Sequence, residues 1–152
     1  LEDYDSPFAA LTAAFSDGFF NCLARRQGIA LSRHVPVWSY QFNYEQAPFF
    51  IPWADLGAFH SAEIQYVFGA PMTLFMGAFD DGEQDLAGSK MAYWQQFAGH
   101  GNPNGNGLEA WPVFDERDRT LLFDLQNSVG TGVHKQACVF WQDLPYLRPP
   151  YS

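Results

Sequence analysis

The sequence predicts an α/β fold in which helices pack on part of a central, mostly parallel sheet, and it predicts that this fold is incomplete as a stand-alone domain. A helical apolar pattern over residues 17–31 leads into residues 37–42, a β-branched and aromatic run that is typical of a buried strand. The 152 residues are 47% hydrophobic and 18% aromatic but only 16% charged, a composition expected for a piece of a larger core.

Charge and hydropathy argue against several classes of partner. The net charge is -9 and the sequence pI is ≈ 4.6, so we expect neither nucleic acid nor an anionic membrane surface as a partner. No long apolar run occurs, and we expect no membrane span. The start of the chain, Leu1 to Asp5, lacks an initiator Met and the basic start of a signal peptide, so we expect it to lie inside a longer protein. Residues 1–152 are expected to be one segment of a single domain without an internal boundary.

Two helices precede the predicted strand. Ser6 or Asp5 is positioned to cap a short helix that runs through Ala14. A second helix is predicted to start at Asp17, to make roughly four turns and to end before Pro36, because the residue before a proline disfavours helical geometry.

A loop rich in proline and aromatic residues, residues 43–55, leads from the strand to His60. Catalytic groups of open α/β sheets lie just beyond the carboxyl ends of the strands, and this loop brings His60 to that edge. Gly57 permits a tight turn, and Ser61 is predicted to cap a short helix whose first turn carries Glu63. An imidazole placed there is suited to proton transfer near neutral pH. The alternative is an ordinary loop histidine beside a helix cap.

A long helix follows in the second half of the chain. The acidic residues 80–83 are predicted to open a helix over residues 83–98 that ends at Gly99. Its packing face is predicted to consist of Leu86, Met91, Trp94 and Phe97.

The remaining segments are shorter. Residues 99–107 lack the lysine and the strand-to-helix context of a phosphate-binding loop, so we expect a flexible surface loop. The sequence then predicts a strand over residues 121–125, turns over residues 126–132 and a short helix around residues 138–141.

Four blocks of this sequence resemble, in the same order, segments of the type-B carboxylesterase and cholinesterase family. Residues 60–69 are similar to the catalytic-histidine segment His-Gly-x-Glu/Asp-Ile-x-x-Val-Phe-Gly, with Ser61 in place of the usual glycine. Residues 93–104 and the pair at 111–112 resemble the block Tyr-Trp-x-x-Phe-Ala, Gly-Asp-Pro-Asn and Trp-Pro, with Asn102 where Asp is usual. Residues 138–141 resemble the closing Cys-x-Phe-Trp.

The resemblance implies the C-terminal portion of an α/β-hydrolase fold and carboxylic ester hydrolysis by a Ser-His-Glu/Asp triad. His60 is then the general base, and Glu63 is a buried carboxylate near the active site, with an ordinary helix-capping acid as the alternative. This sequence contains no Gly-x-Ser-x-Gly elbow, so we expect the nucleophile serine, the triad acid and the oxyanion hole upstream of Leu1.

These expectations extend to partners and ligands. The missing N-terminal part is the expected partner, a small hydrophobic ester is the expected substrate, and the isolated chain is expected to be inactive. No cofactor is expected. His60 and Glu63 could bind a metal only with a third ligand, and the sequence offers none near them.

The resemblance also implies a disulfide between Cys22 and Cys138, which stand where the family has its final bridge between two helices. From the residues alone, two buried thiols are the alternative. Because a disulfide needs an oxidising compartment, we expect the parent protein to be secreted or periplasmic.

A second class of function shares this fold. Cholinesterase-like adhesion proteins resemble the enzymes but have lost catalytic residues and act through their surfaces. Retention of His60 favours the enzyme, and the presence or absence of an upstream Gly-x-Ser-x-Gly discriminates between the two hypotheses.

Overall fold

The computed structural model describes residues 4–47, 57–71, 78–105 and 107–142. These residues cluster into two compact units, the first formed by residues 4–39, 113–119 and 131–142, and the second by the described residues of 40–112 and 120–130. The expectation of one undivided domain stays a prediction.

The first unit is mainly helical. Helix α1 spans Pro7–Ser16, and Ser6 caps it, because the Ser6 Oγ accepts a hydrogen bond from the Ala9 N–H at 3.0 Å. Helix α2 spans Cys22–Leu31 and ends before Pro36, as predicted.

The predicted helix start at Asp17 is wrong. Asp17–Asn21 form a π-helical turn that joins α1 to α2 without a break. Asp17 is helical, with φ -68°, and its side chain has other partners. The carboxylate accepts a hydrogen bond from Asn21 Nδ2 at 2.9 Å and lies 2.8 Å from Nδ1 of His134. Both contacts are made by Oδ1 of Asp17, and its helical backbone differs from the extended backbone typical of an N-cap residue.

The last helix of the first unit, which we number α5, spans Lys135–Trp141 and is held to the other helices in two ways. Cys138 forms a disulfide with Cys22 of α2, with the two Cα atoms 5.2 Å apart. Trp141 lies against Gly18, where an added Cβ would come within 2.9 Å of the indole ring. The disulfide implied by the family resemblance is therefore present in the structure.

The second unit contains a sheet with strand order β1-β2-β3. Strand β1 spans Tyr40–Phe42 and pairs in parallel with β2, Arg119–Phe123, so that Tyr40 faces Leu121 and Phe42 faces Phe123. Leu121 and Phe123 are fully buried. The parallel pairing, with helices on both sides of it in the chain, gives a partial α/β fold.

All three strands of this sheet differ from the sequence prediction. Strand β1 begins at residue 40 rather than 37, because the Val37 carbonyl accepts a hydrogen bond from the Phe114 N–H at 2.7 Å, outside the sheet. Strand β2 covers residues 119–123 rather than 121–125. Strand β3, Ser128–Thr131, occupies residues predicted as turns, since its polar, glycine-containing sequence carries no apolar alternation.

Helix α3 spans Ile64–Phe68 and helix α4 spans Asp81–His100. The acidic start of α4 is confirmed. The Asp80 carboxylate accepts a hydrogen bond from the Glu83 N–H at 2.8 Å, and the Glu83 carboxylate accepts one from the Asp80 N–H at 3.1 Å. The predicted end at Gly99 is wrong, because the helix continues to His100 and its C-cap is Gly101, whose φ of 69° is left-handed.

The buried face of α4 also differs from the prediction. Met91 and Phe97 are exposed, whereas the buried residues are Glu83, Leu86, Ala87, Lys90 and Tyr93. The apolar pattern was misleading because a glutamate and a lysine lie on the buried side.

Residues 101–105, which lie in the loop predicted to be flexible over residues 99–107, make specific contacts with the rest of the chain. The Asn104 side chain accepts a hydrogen bond from the Trp111 N–H at 2.7 Å and donates one to the Trp111 carbonyl at 3.0 Å. Pro103 is fully buried. Among the described helices, none has the length and apolar character that crossing a membrane requires.

Candidate active site

His60 is an exposed residue in a tight turn of the second unit, immediately before α3. Gly57 has a left-handed φ of 54°, and its carbonyl accepts a hydrogen bond from the Phe59 N–H at 2.9 Å. The Phe59 carbonyl in turn accepts one from the Ala62 N–H at 3.0 Å, and Ala62 is buried. The backbone on both sides of His60 is thereby fixed while the residue itself remains at the surface.

The predicted capping role of Ser61 is wrong. Ser61 has a φ of 74°, in the left-handed region that favours glycine, and its hydroxyl donates to the carbonyl of His60 instead of accepting from α3. This is the position where the family pattern has glycine. Ser61 therefore adopts a backbone conformation that favours glycine and that is strained for serine. In this conformation its hydroxyl donates a hydrogen bond to the carbonyl of His60.

Glu63 occupies the N-cap position of α3 and not its first turn, and its side chain makes no capping hydrogen bond. Its negative charge affects the pKa of one group on β1 and of one group on α4. It contributes, after burial, to raising the pKa of Tyr40, and it opposes the effect of burial on the pKa of Lys90. The predicted helix acid is thus electrostatically linked to a buried group.

A buried hydrogen bond connects α3 to the start of α4. Tyr66 is fully buried, and its hydroxyl donates to Oε1 of Glu83 at 2.7 Å. Since Glu83 also completes the cap of α4 with Asp80, one carboxylate joins both helices. Burial, followed by the hydrogen bond to Glu83, raises the pKa of Tyr66.

The ring of Tyr66 is equally well held. It stacks on Phe79 with centroids 4.9 Å apart, and the rings of Phe42 and Tyr44 lie 5.4 and 5.9 Å away. Helix α3 then ends at Gly69, whose φ of 60° is left-handed and whose absent Cβ leaves room for Met91 of α4. These contacts fix the position of α3, the short helix that follows His60, within the second unit.

Lys90 of α4 is a candidate residue that sequence reasoning missed. Its side chain is fully buried on α4, and burial lowers its pKa to about 7. The signal was present in its spacing, because Lys90 follows the buried Leu86 by one helical turn and precedes Trp94 by another. Lysines at such positions are normally assigned to the surface.

Other candidate chemistry in the described residues is limited. No group of three potential metal ligands occurs in the described ranges, so His60 and Glu63 acquire no third ligand there. A cavity of about 560 Å³ lies in the first unit between α2 and residues 114–118, and none of the predicted site residues lines it.

Comparison with known proteins identifies the family. The sequence profile of the carboxylesterase family matches residues 2–141. Carboxylesterase 5A of Canis lupus familiaris is 36% identical over 125 residues, which cover 74% of this chain and 21% of that protein. Carboxylesterase 1C of Mus musculus is 34% identical over 140 residues, covering 90% of this chain and 24% of that protein.

A solved structure agrees. The crystal structure of the Geobacillus stearothermophilus carboxylesterase EST55 superimposes with a TM-score of 0.59 at 28% sequence identity, covering 73% of this chain and 23% of that one. The chain thus spans about a fifth to a quarter of the length of these relatives. Because the family profile matches nearly the whole chain, this protein belongs to the carboxylesterase family.

Proposed function

We propose that this chain supplies the general base, His60, of a serine carboxylesterase. The observation that carries the proposal is the exposed His60 in a hydrogen-bonded turn, in the segment that resembles the catalytic-histidine segment of the family. The nucleophile serine, the triad acid and the oxyanion hole lie on the part of the protein upstream of Leu1.

In this mechanism, His60 removes the proton from the serine hydroxyl as the serine attacks the ester carbonyl. It then gives that proton to the leaving alcohol. Water hydrolyses the acyl-enzyme with His60 again acting as base. The upstream carboxylate fixes the tautomer of the imidazole, and Glu63 acts as a nearby charge and not as the triad acid.

The substrate is a small hydrophobic carboxylic ester, and no cofactor takes part. The Cys22–Cys138 disulfide supports an oxidising location, either secreted or periplasmic, for the full-length protein.

Substitution of His60 in the full-length protein tests the proposal. His60→Ala should lower kcat/KM for p-nitrophenyl esters by about three orders of magnitude or more, since triad members act as a unit. His100→Ala, an exposed histidine at the end of α4, is the matched control and should leave the rate unchanged. Activity of His60→Ala within tenfold of the parent would refute the proposal.

The adhesion hypothesis predicts a different result. If the upstream sequence lacks the serine elbow, the full-length protein and its His60→Ala variant should both show no ester hydrolysis, which is the result that the adhesion hypothesis predicts.

A further inference from the structure

Asn104 and Gly105 form an Asn-Gly pair shortly after the end of α4. In such a pair the backbone nitrogen of the glycine can attack the side-chain carbonyl carbon of the asparagine, because glycine carries no Cβ that obstructs the approach. Packing also favours glycine here, since an added Cβ on Gly105 would come within 2.8 Å of Nε2 of Gln96 on α4. Asn104 is exposed, so water has access to the product of that attack.

Hydrogen bonds hold the side-chain amide of Asn104 at both of its polar atoms. Its Oδ1 accepts a hydrogen bond from the Trp111 N–H at 2.7 Å, and its Nδ2 donates one to the Trp111 carbonyl at 3.0 Å. Nδ2 also donates to Oδ1 of Asn102 at 3.0 Å. These bonds need a planar amide with its oxygen and nitrogen in place. Attack by the Gly105 nitrogen makes the amide carbon tetrahedral and expels Nδ2, so the bonds must break for the reaction to proceed.

Trp111, the partner of Asn104, is itself firmly held. It is buried, and its ring meets those of Tyr93 and Phe123 edge-on, with centroids 5.4 and 5.5 Å apart. Pro103, which precedes Asn104 in the chain, is fully buried. The hydrogen bonds of Asn104 therefore open only when part of this packing opens, and such local opening has a free-energy cost. Access of water to Asn104 is thus not sufficient for reaction.

Deamidation removes the donor that this arrangement needs. In aspartate an oxygen replaces Nδ2, so the Trp111 carbonyl and Oδ1 of Asn102 lose their donor and face an anionic oxygen from 3.0 Å. Buried or opposed polar groups without a partner cost free energy, so the contact is weaker after the reaction. In isoaspartate the backbone passes through the former side-chain carbon and is lengthened, which displaces the residue from Trp111.

We propose that Asn104 is a deamidation site that reacts only when its contact with Trp111 opens, and that its conversion prevents the same contact from forming again. The Gly105 nitrogen bonds to Cγ of Asn104, and the side-chain NH2 leaves as ammonia with the proton of that nitrogen, which gives a cyclic imide. Water then adds to one of the imide carbonyls and opens the ring to aspartate or isoaspartate. The proposal is independent of the role of His60.

Peptide mass spectrometry of the full-length protein, incubated at neutral pH in heavy-oxygen water, measures the conversion of each asparagine. In urea, Asn104 should convert at a rate similar to that of Asn106, which is also followed by glycine. Asn102 should stay intact, because the proline that follows it has no backbone N–H. Without urea, Asn104 should convert more slowly by about tenfold or more. Equal rates with and without urea, or an Asn104 that stays intact in urea, would overturn the proposal.

Variants of Asn102 test whether the hydrogen bonds of Asn104 control the reaction. Asn102→Ala removes one acceptor of Nδ2 and should speed the conversion of Asn104 in the folded protein by about twofold or more, with no change in urea. Asn102→Asp keeps an acceptor oxygen at this position and is the matched control, so its rate should equal that of the parent. If Asn102→Ala also reacts at the parental rate, these bonds do not control the reaction and the proposal is wrong.

The same pair of positions tests the effect of the product. Asn104→Asp introduces the carboxylate of the product and should shift the midpoint of urea unfolding to a lower concentration. Asn102→Asp makes the same chemical change nearby, but the Asn102 side chain only accepts hydrogen bonds among the described residues, so its midpoint should not move. Equal midpoints for the two variants would contradict the proposal.

The deamidated parent protein provides a second measurement of that effect. Its additional negative charge separates it from the unmodified protein by anion exchange. The Trp111 N–H, which donates to Asn104 in the closed contact, should exchange its hydrogen with solvent about threefold faster or more in the deamidated form. Equal exchange in both forms would show that the modification does not release the contact, and the proposal would fall.

Discussion

Removing the Tyr66 hydroxyl tests whether one hydrogen bond joins α3 to α4. Phenylalanine at this position keeps the stack on Phe79, at 4.9 Å between centroids, and loses only the bond to Glu83 at 2.7 Å. A hydrogen bond to a charged group contributes about 1.5–3 kcal/mol. Glu83 keeps its second partner, the Asp80 N–H, so we expect the free energy of unfolding to fall by about 1.5–2 kcal/mol.

The assay is urea unfolding at pH 7, with Tyr44→Phe as the matched control. Tyr44 is also buried in this ring cluster, but its hydroxyl makes no hydrogen bond with any described residue. Because Tyr44→Phe removes no hydrogen bond to a described residue, it should lower the free energy of unfolding by less than the roughly 0.5 kcal/mol that a weak hydrogen bond contributes. Equal effects of Tyr66→Phe and Tyr44→Phe would show that the bond to Glu83 contributes nothing.

Three further predictions concern stability. Ser61→Gly should raise the free energy of unfolding by about 0.5–1 kcal/mol, because glycine relieves the left-handed φ of 74° at some cost in chain entropy; a loss of stability would contradict this. Reducing the Cys22–Cys138 bond, which closes a separation of 116 residues, should cost about 4–5 kcal/mol in the chain-entropy model, and a cost below about 1 kcal/mol in urea unfolding would contradict it. Lys90, with its pKa lowered from 10.5 to about 7, destabilises the fold fully below pH 7 and progressively less above it. In urea unfolding, the free energy of unfolding of the parent should therefore rise relative to that of Lys90→Met by about 1 kcal/mol per pH unit between pH 7 and 10. A difference that stays constant with pH would refute the linkage.

Local rules predicted the features that depend on adjacent residues. The Ser6 cap and the acidic start of α4 were confirmed, because each needs only a side-chain oxygen near a few backbone N–H groups. The π-helical turn at Asp17 could not be predicted. It depends on contacts of Asp17 and Gly18 with His134 and Trp141, which are distant in sequence.

The candidate site also combines features that the sequence predicts with features that depend on residues distant in sequence. His60 and Glu63 were identified from family resemblance, since neither spacing nor composition distinguishes a catalytic histidine from a loop histidine. The left-handed backbone at Ser61 was not predicted, although the family pattern has glycine at this position. Lys90 and the Tyr66–Glu83 bond were missed, because polar side chains on a helix are assigned to solvent unless the burial of that face is known.

Covalent labelling of the full-length protein with a fluorophosphonate tests the role of His60 most directly. In this reaction the serine oxygen bonds to phosphorus, fluoride leaves, and the general base takes the serine proton, so the rate reports activation of the nucleophile. The account predicts labelling of a serine upstream of Leu1, at a rate that falls by about three orders of magnitude or more in His60→Ala and is unchanged in His100→Ala. Labelling of His60→Ala at the parental rate, or of a serine within this chain, would contradict it.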